Sequence, residues 1–104
     1  MNQVEGGLAM SWIAEQSYYK IERILTGTEM KTVKEPRQML LYAEHLQTKR
    51  RSFPLNEVHD LSFRPMGDAG GILYVHTGHG VYAYTVPEDP AAFIESFKRH
   101  TGDG

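Results

Sequence analysis

The sequence contains no cysteine, which excludes a disulfide framework, a zinc site built on thiolates and a thiol nucleophile. Basic residues are not in excess, since 11 lysines and arginines stand against 13 acidic residues; the resulting net charge of -2 argues against a general nucleic-acid binder. No apolar run approaches the ~20 residues of a transmembrane segment. Glu5 is the one charged side chain up to Gly7, so we predict no export signal and expect a cytoplasmic protein, with peripheral attachment to a membrane left open.

The 104 residues suffice for one domain. Residues 1–16 form a poorly patterned extension, which we expect to be partly disordered or a short helix, and residues 17–104 form the domain. Within the extension, Trp12 and Ile13 are interpreted as a segment that packs on the domain, or as an anchor for a partner or membrane surface.

The C-terminal pattern predicts an amphipathic helix over residues 90–100. Asp89 is suited to accept hydrogen bonds from free amides as an N-cap, and the proline after it fits the first helical position. Phe93 and Phe97 are four residues apart and lie on one apolar stripe. Basic residues occupy the last turn, and Gly102 is a candidate left-handed stop.

The strongest β signal comes just before that helix. Residues 72–77 and 81–86 are rich in β-branched and aromatic side chains and are joined by Gly78-His79-Gly80, which predicts a hairpin. Whichever pair centres the turn, the alternation of side chains predicts one inward face. It comprises Leu73, Val75, Tyr82, Tyr84 and Val86.

Shorter β patterns fill the upstream part of the chain, where a proline-led step at residues 54–57 separates two of them. The predicted strands are 19–26, 30–33, 38–43, 46–53 and 58–63. For the first of these a helix is the alternative, because the spacing of Tyr18, Ile21 and Leu25 also suits a helix. Together with the hairpin, this gives a mainly β (α+β) protein of six or seven strands, followed by one helix that covers an open end or face.

Three stretches within residues 39–100, about 60% of the chain, bear a family resemblance. They are the step FPLNEV, the glycine-led hairpin GGILYVHTGHGVYAYTV and the helix start EDPAAF. On these the chain resembles the bacterial pleckstrin-homology-like (PH-like) domain family. The resemblance implies an antiparallel barrel of six or seven strands capped by a C-terminal helix. It implies a binding scaffold for phosphoinositides, peptides or proteins, without catalytic residues or a cofactor.

Charge is unevenly distributed, because residues 31–64 carry seven basic and four acidic residues, +3, and the remainder carries -5. The centre of this basic region is Lys49-Arg50-Arg51, and Arg64 belongs to it. If these residues lie in a strand, Lys49 and Arg51 share one face. They are candidates to bind an anionic lipid, a phosphate ligand or an acidic partner segment. Alternatively, they are solvated charges that protect an edge strand from aggregation.

Basic residues near the first predicted hairpin are further candidates for phosphoinositide binding. They are Lys20, Arg23, Lys31 and Lys34.

Five histidines raise the alternative of a metal site. His76 and His79 form a His-x-x-His pair that His45, or His59 with Asp60, would have to complete. A strand end and a turn do not force such ligands to converge, and His79 between two glycines also fits an exposed turn.

Catalytic signals are weak. The chain has no Gly-x-Ser-x-Gly elbow, and the glycine-rich residues 67–71 lack the lysine and hydroxyl residue of a phosphate loop. We therefore predict no catalytic residue. The favoured function is a non-enzymatic binding or assembly module that uses the basic residues or an exposed sheet edge, including self-association. The alternatives are a histidine-based small-molecule or metal-binding domain and, third, a small enzyme.

Overall fold

The structure of the protein is a computed structural model that describes residues 11–102. Its fold consists of a curled antiparallel sheet of seven strands and one C-terminal helix. The elements are β1 (Ala14–Thr26), β2 (Glu29–Leu41), β3 (His45–Gln47), β4 (Ser52–Pro54), a 3-10 helix (Leu55–Glu57), β5 (Val58–Pro65), β6 (Gly71–Thr77), β7 (Gly80–Val86) and α1 (Ala91–Thr101). The strand order is β4-β3-β2-β1-β7-β6-β5. This confirms the predicted mainly β fold with a helix after the last strand.

No helix within residues 11–102 has the length and apolarity needed to cross a bilayer.

The N-terminal boundary differs from the prediction. β1 begins at Ala14, so residues 14–16 belong to the sheet and not to an extension. The amide of Ile13 already donates to the Leu41 carbonyl oxygen at 2.7 Å. Trp12 and Ile13 nevertheless remain 40% and 46% exposed. The rest of the predicted extension, residues 1–10, lies outside the described residues.

β1 and β2 form a hairpin that is longer than predicted. One 13-residue strand, β2, contains the predicted strand 30–33 and residues 38–41 of the predicted strand 38–43, and it continues through Pro36. The hairpin turns at Gly27, whose φ of 59° is in the left-handed region that glycine favours. Pro36 lies opposite Tyr19 in the ladder. Proline is tolerated in a strand where no ladder hydrogen bond requires its missing N–H.

The second hairpin agrees with the prediction. Thr77 pairs with Gly80, so that Gly78-His79 form a two-residue turn. Gly80 has a φ of 140°, which explains why glycine follows the histidine. The predicted inward face points to the core: its aliphatic residues are buried and its two tyrosines are partly buried.

Helix α1 covers the core of the sheet. The Asp89 carboxylate accepts a hydrogen bond from the Ala91 amide at 2.9 Å, but the helix begins one residue later than predicted, so that Pro90 and not Asp89 occupies the N-cap position. Phe93 and Phe97 are 3% and 2% exposed. The left-handed stop is wrong, because Gly102 has a φ of -75° and closes the last turn through its amide to the Lys98 carbonyl.

The core lies between the curled sheet and α1. Fully burying a large apolar side chain contributes about 1.5–3 kcal/mol. The buried hydrophobic residues are Tyr18, Met39, Leu41, Leu46, Phe53, Val58, Leu61, Leu73, Val75, Val86, Phe93 and Phe97.

The outer half of the β1–β2 hairpin extends beyond the rest of the sheet. β1 pairs with β7 at a single position, Tyr19 with Thr85, and β2 pairs with β3 only at Leu40 and Leu41. Residues 20–35, which we call the hairpin arm, are therefore a two-stranded ribbon about 20 Å long, judged from the rise per residue. Both of its faces are exposed.

Candidate functional site

The predicted basic strand is a turn. Lys49, Arg50 and Arg51 lie in the connection between β3 and β4, so the expectation that Lys49 and Arg51 share a strand face is wrong. The physical reason is Thr48, whose hydroxyl oxygen accepts hydrogen bonds from the amides of Arg50 at 3.3 Å and Arg51 at 3.0 Å. The Thr48 amide also donates to the Arg51 carbonyl at 2.8 Å. These bonds close a turn that presents three adjacent cations.

This turn forms one wall of a cleft, which we call the β1–β7 cleft. It opens where β1 and β7 diverge beyond the Tyr19–Thr85 pair, and its volume is about 520 Å³. Four cationic side chains line it, with Glu22 as the acidic one among the described lining residues. The cations are Lys20 from β1, Arg37 from β2, and Arg50 and Arg51 from the β3–β4 turn.

Aromatic and hydroxyl groups complete the lining. Tyr18 is 4% exposed, and its hydroxyl oxygen accepts a hydrogen bond from the Lys49 amide at 3.1 Å. Tyr84 meets it edge to face, with ring centroids 5.2 Å apart. Burial raises the pKa of the Tyr84 phenol, although a hydrogen bond with Thr48 opposes that shift. Tyr84 is therefore a neutral hydroxyl near pH 7.

Glu35, next to the cleft, indicates a positive electrostatic potential there. Its carboxylate lies 3.2 Å from the Arg37 guanidinium and 3.9 Å from the Lys49 ammonium. A hydrogen bond from Arg37 lowers the pKa of Glu35, and the charges of Arg37, Lys49 and Arg50 lower it further. The same hydrogen bond raises the pKa of Arg37. The surroundings of this carboxylate thus favour an anion.

Arg51 lies between two depressions. Its guanidinium carbon is 4.6 Å from the centroid of the Tyr82 ring, a cation–π contact that fixes the side chain. On its other side is a smaller cleft of about 330 Å³, lined in part by Ser52, Glu57 and His79. The larger cleft is the better candidate for an anion, because it gathers four cations.

Arg64 does not join the other basic candidates. It lies in β5 opposite Ile72, and it lines neither of the two clefts that Arg50 and Arg51 line. The sequence grouped it with them because it is close to them in the chain, but β5 ends on another part of the sheet.

The histidines are dispersed. The His76 imidazole forms a 2.7 Å hydrogen bond with the Ser62 hydroxyl, and His79 is exposed in the β6–β7 turn. His45 stacks on Tyr42, and His100 bonds to the carbonyl of Ala43. Among residues 11–102 there is no group of three or more potential metal-ligating side chains.

Sequence reasoning missed Arg37 as a site residue. The decisive signal is its register, because Arg37 lies directly opposite Tyr18, whose ring forms part of the cleft. Of the early basic candidates, Lys20 lines the cleft, whereas Arg23, Lys31 and Lys34 do not.

Comparisons with known proteins found no match: no family model, no curated protein and no solved structure matches the chain. The resemblance to PH-like domains therefore stays a prediction, and the functional argument depends on the geometry of the cleft.

Proposed function

We propose that this protein is a non-enzymatic binding module that recognises a phosphate-bearing anionic group in the β1–β7 cleft. The main support is the convergence of four cations, against one carboxylate, on a single cleft of a protein whose net charge is -2. Such a local excess attracts anions even though the whole chain is weakly acidic. This also agrees with the resemblance to the bacterial PH-like family, in which a binding role is expected.

The side chains suit a phosphate group. Arginine presents a planar fork of donors that matches phosphate oxygens, and Arg50 and Arg51 come from one hydrogen-bonded turn. Tyr84 and Thr48 add hydroxyl groups to the same lining. Within the described lining there is no histidine, serine or cysteine to serve as a nucleophile with an adjacent base. The chemistry favours binding over catalysis.

Two of the cations are held in place before any ligand binds. The Arg37 side chain is only 8% exposed and pairs with Glu35, while Arg51 is stacked on Tyr82. Immobilising long side chains in advance lowers the entropy cost of binding. In a cytoplasmic protein, a location that we propose from the lack of cysteine, the anion would be either a lipid headgroup at the membrane surface or a soluble phosphate compound.

The test compares these two sources with one set of proteins. We expect the wild type to bind inositol trisphosphate by isothermal titration calorimetry, with weaker binding at higher salt because the contacts are ionic. Sedimentation with vesicles of phosphatidylcholine alone, or with added phosphoinositide, then shows whether a membrane-bound headgroup is also bound. Binding of inositol trisphosphate without vesicle binding identifies a soluble phosphate ligand.

A matched pair of double variants separates the cleft from overall charge. Arg50→Glu with Arg51→Glu is expected to abolish binding. The control, Lys98→Glu with Arg99→Glu, changes the net charge by the same amount as the first double variant. It should preserve binding, because these two residues lie on α1 and pair with Asp60 and Glu95. An equal loss in both double variants, or no binding of either anionic probe by the wild type, would refute the proposal.

A further inference from the structure

Among residues 11–102, no strand pairs with the outer edge of β2 along the hairpin arm. From Glu29 to Gln38, β2 is hydrogen-bonded to β1 on one side, and β3 pairs with it only from Leu40 onward. The exposed side chains of this stretch include Met30 at 60% and Val33 at 41%. An exposed edge with apolar side chains is a template for pairing with another strand.

The register of the hairpin tells which backbone groups face outward. Gly27-Thr28 form a two-residue turn, so the flanking pair Thr26–Glu29 is hydrogen-bonded and the pairs alternate from there. In β2, odd-numbered residues bond to β1, and even-numbered residues direct their N–H and C=O groups away from it. The pairing of Leu40 with β3 agrees with this alternation. Thr32 and Lys34 therefore direct backbone donors and acceptors to an edge with which no other described strand pairs.

We propose that a second copy of this chain pairs with the β2 edge, antiparallel, about a two-fold axis at Val33. In that register the outward groups of Thr32 meet those of the second copy's Lys34, so both ladder hydrogen bonds form. On one face, Val33 lies against its own copy and Lys31 lies opposite Glu35 of the partner subunit, twice by symmetry. On the other face, Met30 lies opposite the partner's Pro36, and this pair forms one ladder hydrogen bond, from the Met30 N–H to the C=O of the partner's Pro36, because proline has no N–H. The two arms become one four-stranded sheet.

The charges of β2 favour a two-fold axis at Val33 over an axis at the neighbouring residues. A two-fold axis at Thr32 would set Glu29 opposite the partner's Glu35, and one at Lys31, Lys34 or Glu35 would set a charge against its own copy. Like charges directly opposite each other destabilise a strand pair, whereas opposite charges stabilise it. The Val33 register is free of like-charge pairs between residues 29 and 37 and contains opposite-charge pairs instead.

The test uses charge reversal and sedimentation equilibrium of the full chain over about a hundredfold range of concentration. We expect the wild type to dimerise. Lys31→Glu places two glutamates opposite each other, and Glu35→Lys places two lysines opposite each other. Each variant alone should therefore dimerise roughly tenfold or more weakly. An equimolar mixture of the two should form heterodimers, because both cross-strand pairs then have opposite charges.

A backbone variant checks the edge itself. Thr32→Pro removes an outward N–H while leaving the β1–β2 ladder intact, and it should abolish dimerisation. Arg23→Pro makes the equivalent change on the β1 edge of the same arm and should leave dimerisation unchanged. A wild type that stays monomeric, a mixture that fails to associate, or equal effects of the two proline variants would overturn the proposal. The double variant Arg50→Glu with Arg51→Glu should leave dimerisation intact, because the proposed dimer does not use the anion site. This variant therefore distinguishes a failure of the dimer proposal from a failure of the proposed function.

Discussion

Thr48→Val tests whether one hydroxyl organises the basic turn. The Thr48 side chain is buried, with 4% exposure, and its oxygen accepts the amide hydrogen bonds of Arg50 and Arg51. Each such bond contributes about 0.5–1.5 kcal/mol, so valine of nearly equal shape should lower the free energy of unfolding by about 1–3 kcal/mol. For a domain of this size, each kcal/mol lowers the melting temperature by about 4–8 °C.

The assay has two readouts. Urea unfolding followed by circular dichroism measures stability, and calorimetry with inositol trisphosphate measures ligand binding in the cleft. We expect weaker binding because the amides of Arg50 and Arg51 lose their hydrogen bonds to Thr48. Thr101→Val is the matched control: it removes one hydroxyl bond, to the Phe97 carbonyl, at an exposed helix end and should cost less than about 0.5 kcal/mol. If Thr48→Val unfolds like the control and binds like the wild type, the anchoring argument fails.

Three further changes test the packing of the fold, its turn geometry and the positive electrostatic potential at the cleft. Phe97→Ala, at a side chain 2% exposed, should cost about 3–5 kcal/mol in urea unfolding. Gly80→Ala should cost about 1–3 kcal/mol because φ is 140°, whereas Gly78→Ala meets only ordinary contact at 3.5 Å and should unfold nearly like the wild type. Because its pKa is lowered, Glu35 stabilises the fold above about pH 4.5 and loses that effect on acidification; Glu35→Gln should reduce this acid sensitivity and strengthen inositol trisphosphate binding.

The C-terminal half of the fold was predictable because its signals are local. The alternation over β6 and β7, the glycines of their turn, and the hydrogen bond between Asp89 and the start of α1 all act within a few residues of one another. The structure reproduces each of them. The stop at Gly102 was not predictable in the same way, since this glycine ends α1 without entering the left-handed region that its residue type permits.

The N-terminal half of the fold was harder to predict from the sequence, because its elements depend on partners that are distant in the chain. The separate strands predicted at residues 30–33 and 38–43 belong to one strand, β2, because the long ladder with β1 pairs the residues on both sides of Pro36. The turn at Lys49 contains neither glycine nor proline, and only the hydroxyl of Thr48 marks it. An apolar–polar pattern cannot distinguish such a turn from an exposed edge strand.

The cleft itself could not have been found by scanning for a basic run. Its cations come from β1, β2 and the β3–β4 turn, and they meet only because Tyr18 and Arg37 are opposite each other in the hairpin while the turn approaches Tyr18. The run at Lys49 supplied Arg50 and Arg51, two of the four cations, whereas Arg64 lies on another part of the sheet. A site formed by register belongs to the tertiary fold, and its charges add up only after the strands have paired.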